Sequence, residues 1–125
     1  EVTRILTLKG ARLVINPTAT SAGPGKTEFI VNTTAVRATE NYIYVASAGM
    51  VGKERTLAFQ GHSTIAGPAF PRLMHIYAEA GDGEEIVSAT LSFESLHQWT
   101  ERHDWKEERR AELISREFAK LIPPR

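Results

Sequence analysis

The sequence predicts a layered α/β domain. Helix-like and strand-like segments alternate along the chain before a run of strands and a helical tail. Several strand segments are short, almost unbroken apolar runs, the composition of strands buried in a sheet. No internal repeat and no linker long enough to divide domains interrupts the 125 residues, a length that suits one modest core.

Residues 2–9, "VTRILTLK", read as the end of a helix, with Gly10 at the C-terminal cap position. "ARLVI" at 11–15 reads as a strand buried on both faces, and Pro17 is expected to end it because proline donates no ladder hydrogen bond. Residues 18–26, rich in Thr, Ser, Gly and Pro, read as a loop. A helix is predicted from Thr27 to Asn41, with Thr27 as its cap and Phe29, Ile30, Val36 and Ala38 on its buried side. The β-branched pair Thr33-Thr34 opposes that helix weakly. "YIYVASA" at 42–48 is a strand by composition, and the polar stretch 49–60 reads as a loop. Three further strands are expected at 62–67, 73–80 and 85–91, the last two joined in a hairpin through "GDG" at 81–83. The C-terminus reads as helical. Asp104 and Glu107 resemble a capping box, Ala111, Ile114, Phe118 and Leu121 recur at helical spacing, and Pro123-Pro124 is expected to stop the helix.

Composition narrows the function classes. Fifteen Lys and Arg balance fifteen Asp and Glu, so no global field draws in nucleic acid or an anionic membrane, and neither is an expected partner. A neutral total leaves a local basic patch open. The chain contains no cysteine, which excludes disulfides, thiolate metal sites and a cysteine nucleophile within it. No apolar run approaches the roughly 18 residues of a membrane span. No signal peptide is visible; the chain opens on Glu1 rather than methionine, so a preceding segment, targeting or otherwise, is expected to be missing.

The motifs mostly yield to bland readings. "TSAGPGKTE" at 20–28 imitates a phosphate-binding loop, and Gly25-Lys26-Thr27 fits its end. Thr20, however, holds the first glycine position, and Pro24 removes an N–H from a loop that works by presenting N–H groups. "GHSTIAG" at 61–67 is not a nucleophile elbow, because Ile65 stands where that motif has glycine and strand signals continue. His97, Glu101 and Asp104 would share one helix face, but the cap at Asp104 and the mixed charge around it favour a solvated surface over a metal site; no metal is expected. His62 and His75 lie in strand-like segments without an obvious partner. Arg37 and Glu40, three residues apart in "RATEN", read as a structural ion pair.

Taken in order, several segments resemble the carbon–nitrogen hydrolase family, the nitrilase and aliphatic amidase superfamily. "LKGARLVINPTA" is similar to the family's "GAD-L-I-PS" segment. "VRATENYIYVASAGMVG" resembles its "RA-EN-YVV-AN-VG" segment and is the most specific match. "GHSTIAGP", "GEEIVSATLSFESL" and "HDWKEERRAEL" follow the family's later blocks in the same order. Phe70 stands where the family usually has a turn glycine, Ser92 where it has Asp before a helix, and Phe29 where Trp is common; these departures bear on the subfamily and substrate more than on the fold.

The resemblance implies the C-terminal half of an αββα sandwich, whose units pair into a four-layer homo-oligomer. It implies a Glu-Lys-Cys site cleaving a nitrile, amide or carbamoyl C–N bond, with no cofactor, in a cytoplasmic enzyme. None of that triad falls in this chain. Glu1 corresponds to the Glu of the "FPE" tripeptide that follows the family's nucleophile, so residues 1–125 are expected to be one domain's C-terminal portion, cut just after the catalytic cysteine, with an N-terminal half as missing partner. What the resemblance assigns here is a wall of the substrate pocket: Pro17, Thr18, Ala19 and Thr20, with Glu1, Arg37 and Glu40 as structural neighbours. A site just past a strand agrees with the rule that ligands of α/β sheets gather beyond the carboxyl ends of strands. A non-catalytic binding or assembly module that keeps the half-fold is the alternative reading, favoured by the missing cysteine if the chain is complete.

Overall fold

A computed structural model describes residues 1–121. The elements in chain order are α1 (Val2–Leu8), β1 (Leu13–Thr18), α2 (Lys26–Thr39), β2 (Tyr44–Gly49), β3 (Val51–Glu54), β4 (Leu57–Gln60), β5 (Thr64–Ala69), β6 (Arg72–Glu79), α3 (Phe93–Arg102) and α4 (Ala111–Leu121). Pro123-Pro124, the expected helix stop, lies outside the described residues. No described helix is long and apolar enough to cross a membrane.

β1 and β2 run parallel, joined through α2, and Leu13 pairs with Tyr44 through to Thr18 with Gly49. β5 adds to β2, and β6 to β5, both antiparallel, giving a four-stranded sheet in the order β1-β2-β5-β6. α2 packs on β2, β5 and β6, and α3 on β5. The apolar centre is Ala38, Ile43 and Val45, with Val14 packed against it. A polar thread runs through the same layer. Thr34 Oγ1 donates to Ile30 O at 2.8 Å and lies 2.7 Å from Ser47 Oγ, which also accepts from Asn16 Nδ2 at 3.3 Å. Within the β-region alternation, Val14 and Asn16 turn toward this layer, while Leu13 and Ile15 turn to the opposite, open face.

Several expectations are corrected. β1 does not stop at Pro17; it continues through Thr18, because β1 is an edge strand and a missing N–H on the free side breaks no bond. Nor is β1 buried on both faces, since Ile15 is 68% exposed. α2 starts one residue early, after Gly25 at φ 73°, and Thr27 is not its cap; the Thr27 hydroxyl accepts instead from Gln60 Nε2 at 2.7 Å. Its buried side is Ile30, Val31, Thr34, Ala35 and Ala38, whereas Phe29 and Val36 face outward. Small residues let the helix sit close to the sheet, and that contact outranks the size of the outward side chains.

The stretch 49–60 is not a loop. It holds the β3–β4 hairpin, turned at Arg55 with φ 53°. The 85–91 segment forms no strand among the described residues, and Ile86 is 98% exposed. β-rich composition makes a strand only where a neighbour offers a ladder, and β6 pairs instead with β5 through the turn at Phe70-Pro71. The helical C-terminus is two helices. α3 follows Ser92, whose side chain makes no capping bond, and the Asp104 carboxylate accepts from Lys106 N at 2.9 Å in the break before α4. α4 buries none of its described residues, and Ile114 and Phe118 line a cavity against Ile5 of α1.

Candidate functional site

β1 and β2 are parallel neighbours, so their carboxyl ends fall side by side. Pro17, Thr18 and Ala19 from one end, and Ala48, Gly49 and Met50 from the other, line an open cavity of about 440 Å³. The two ends are tied by Met50 N donating to Thr18 O at 2.9 Å. Thr20 is absent from that lining. It stands behind it, with its hydroxyl 3.1 Å from Thr18 Oγ1 and its carbonyl accepting from Gln60 N at 2.9 Å.

Much of the backbone polarity at Gly49 and Met50 is spent within the fold. Gly49 N donates to Ser63 Oγ at 3.0 Å, and Gly61 N to Met50 O at 3.0 Å. Gly49 is required here, since a Cβ on it would stand 2.2 Å from Gly61 O. No charged side chain lines the cavity among the described residues, and its polar side-chain group is the Thr18 hydroxyl, which also contacts Thr20 Oγ1. Such a surface suits a neutral, short, polar-headed ligand better than an ion.

The other residues expected near the site lie elsewhere. α2 runs back against the parallel strands, so Arg37 and Glu40 on its last turn and cap lie toward the strands' amino ends. Their expected ion pair is not formed. Both are exposed, and Asn41 Nδ2 donates to Arg37 O at 2.7 Å and to Glu40 Oε1 at 3.3 Å. Glu1, at the N-cap of α1, shares one cavity with Arg37, Asn16 and Ser47 and another with Glu40. None of the three lines the cavity at Pro17–Ala19.

His97 pairs with Glu101 at 3.2 Å on the exposed face of α3, and no group of metal-ligating side chains assembles among the described residues. His62 does have partners, contrary to expectation: Glu79 Oε1 at 3.1 Å and Asp82 Oδ1 at 2.9 Å. His75 stacks edge-on against Tyr77, ring centroids 4.6 Å apart. Sequence reasoning missed the Ala48–Met50 half of the wall. Its only signal was the small-residue run "ASAG" closing an apolar strand.

Lys26, in the imitation phosphate loop, has its amine 5.8 Å from the Phe29 ring centroid. The loop itself is pinned to the β3–β4 hairpin. Ala22 N donates to Ala58 O at 2.8 Å, and Gly23 N to Gln60 Oε1 at 3.3 Å.

This half-layer, with a strand-end pocket at its parallel pair, has close counterparts. Residues 1–101 match the model of the carbon–nitrogen hydrolase family, and the chain belongs to that family. It is 31% identical over 123 residues to the omega-amidase NIT2 of Xenopus tropicalis, a match that spans 96% of this chain and 42% of that protein. Among solved structures it is similar to an amidase of Nesterenkonia AN1 from the nitrilase superfamily, with 29% identity and a TM-score of 0.67 over 91% of this chain and 38% of that one. It is similar also to Nit3 of Saccharomyces cerevisiae, a nitrilase-superfamily member, with 28% identity and a TM-score of 0.72 over 87% of this chain and 39% of that one. The chain thus spans about two fifths of the length of these relatives.

Proposed function

We propose that this chain supplies one wall of the substrate pocket, and part of the scaffold, of a hydrolase that cleaves non-peptide C–N bonds. The substrate class is a small amide, with nitriles and N-carbamoyl compounds as neighbours in chemistry. The supporting observation is the uncharged cavity at the carboxyl ends of β1 and β2, bounded by Pro17, Thr18, Ala19, Ala48, Gly49 and Met50. A primary amide is neutral and carries both donor and acceptor, which the Thr18 hydroxyl can meet in either sense. Thr20 holds that hydroxyl from behind.

The reaction needs a thiolate to attack the carbon, a carboxylate to take its proton and a lysine to stabilise the developing charge. The chain has no cysteine, so on this reading the nucleophile lies outside these 125 residues; we place the Glu and Lys there with it, in a cytoplasmic homo-oligomer. The same cysteine-free sequence favours a second reading, a non-catalytic assembly module that keeps the half-fold.

Titration with butyramide, followed through backbone amide resonances, tests the pocket. Shifts are expected at Thr18, Ala19, Gly49 and Met50; shifts scattered over the surface, or none, would sink it. The gene sequence upstream of the Glu1 codon separates enzyme from module. The hydrolase reading expects an in-frame cysteine codon within about ten codons, because the chemistry requires the thiolate.

A further inference from the structure

We infer that His62 is a positioning residue for this pocket: its ring, bridging Glu79 and Asp82, fastens the connection after β6 beneath the Gly49–Met50 wall and holds that wall in place. The inference rests on the pocket reading above.

Three backbone segments are stacked here. The first, 49–50, is the wall. The second, 61–63, bonds to it through Gly61 N to Met50 O at 3.0 Å and Gly49 N to Ser63 Oγ at 3.0 Å. The third, 80–82, bonds to the second through His62 N to Gly81 O at 3.1 Å and Ala80 N to Ser63 O at 2.8 Å. The stack leaves no slack. A Cβ on Gly49 would meet Gly61 O at 2.2 Å, and one on Gly61 would meet Gly81 O at 2.8 Å. Movement in the third segment therefore passes to the first.

The side chain that closes the stack is His62. Its Nδ1 lies 3.1 Å from Glu79 Oε1 on β6, and its Nε2 lies 2.9 Å from Asp82 Oδ1 beyond β6. Ionised carboxylates only accept, so both bonds form only when the ring carries a proton on each nitrogen. Glu85 adds a third carboxylate to the connection, accepting from Gly81 N–H. The ring is 16% exposed, and the backbone is held at φ 54°, a region costly for a non-glycine residue. Neither structure within the sheet nor the turn demands histidine there; glycine or asparagine would meet the backbone more easily. The bridge is what histidine adds.

The test uses His62→Asn, which tolerates the left-handed backbone but cannot span both carboxylates, and Asp82→Asn, at a site 85% exposed where folding is not at stake. Backbone hydrogen exchange is read at Gly49 and Gly61, with Ala35 and Ala38 of α2 as references. His62→Asn should speed exchange at Gly49 and Gly61 about tenfold, the loss of a charge-assisted bond, and leave the references unchanged. Asp82→Asn should act in the same places and more weakly, since solvent screens its carboxylate. Unchanged exchange at Gly49 and Gly61 in His62→Asn, or a uniform rise that includes Ala35 and Ala38, would each overturn the inference. No ligand enters this test. Failure of butyramide to bind would sink the pocket while leaving the exchange result to judge His62 by itself.

Discussion

The Tyr44 ring occupies the space that a side chain on Gly67 would need. A Cβ at Gly67 would stand 2.2 Å from Tyr44 Cδ1 and 3.0 Å from Ile43 O. Tyr44 is fully buried, packs edge-on against Tyr77 and Phe93, and its hydroxyl donates to Ser92 O at 2.6 Å. One ring thus ties β2, β6 and the start of α3 together, and it does so through a gap left by a missing methyl.

Gly67→Ala should therefore destabilise the fold by about 1–3 kcal/mol, the range for forcing an extra methyl into a packed core. Chemical denaturation compared with Gly10→Ala gives the control for added bulk, because a Cβ at Gly10 meets nothing within 4 Å and strain there comes from φ 99° alone. A Gly67→Ala variant as stable as the parent would show that Tyr44 moves aside freely.

Tyr44 also sets an alkaline limit. Burial pushes its phenol well above the ordinary tyrosine value, with the Tyr77 hydroxyl adding to the shift. Below about pH 10, the ordinary value, both folded and unfolded chains keep the proton and stability does not depend on this group. Above it the unfolded chain releases the proton while the folded one holds it, so the folded state binds more protons and stability falls as pH rises. Denaturation midpoints should be flat up to that point and decline beyond it, and Tyr44→Phe should lessen the decline. A decline of the same slope in Tyr44→Phe would assign it to other groups.

The Thr34–Ser47 contact predicts a coupled pair. Ser47→Ala removes the acceptor of Asn16 Nδ2 and the partner of Thr34 Oγ1, and should cost about 1–2 kcal/mol. Thr34→Val leaves Ser47 with Asn16 alone and should cost a similar amount. The double variant should cost less than the two singles together, because each single change already removes the one Thr34–Ser47 contact, which the sum counts twice. Strict additivity in denaturant unfolding would show that the two hydroxyls do not act as a unit.

At the candidate wall, Thr18→Val should shift stability by no more than about 0.5 kcal/mol, as expected of a partly exposed position. It should nonetheless weaken butyramide-induced shifts at Gly49 and Met50 at least severalfold. Retained shifts with the hydroxyl gone would move the polar handle elsewhere.

Much of this was legible in the sequence where one apolar run made one element. β1, α2 and β2 follow from "ARLVI", the helical stretch from Thr27 and "YIYVASA", and the family segments pointed to Pro17, Thr18, Ala19 and Thr20 just past the first strand. What was illegible depended on neighbours. "VGKE" and "LAFQ" are too short and mixed to announce a hairpin, and Arg55 turns it without a glycine. "EIVSATL" has strand composition but no strand beside it to bond with. Phe29 and Val36 look like core and face outward, because the close approach of α2 to the sheet selects Thr34, Ala35 and Ala38 instead. His62 gave no hint of Glu79 and Asp82, which come to it only when β5 and β6 pair.

The strand-to-helix connection 20–23 is clasped by the β3–β4 hairpin through main-chain groups: Gln60 N to Thr20 O, a bridge between Ser21 and Phe59, and Ala22 N to Ala58 O. Its path is dictated by atoms that every residue type except proline possesses. Ala19, just before it, is exposed and lines the cavity. The rim can therefore exchange its chemistry while its geometry stays put. On the function proposed above, randomising position 19 against a panel of acyl chain lengths is the economical place to begin redirecting this pocket.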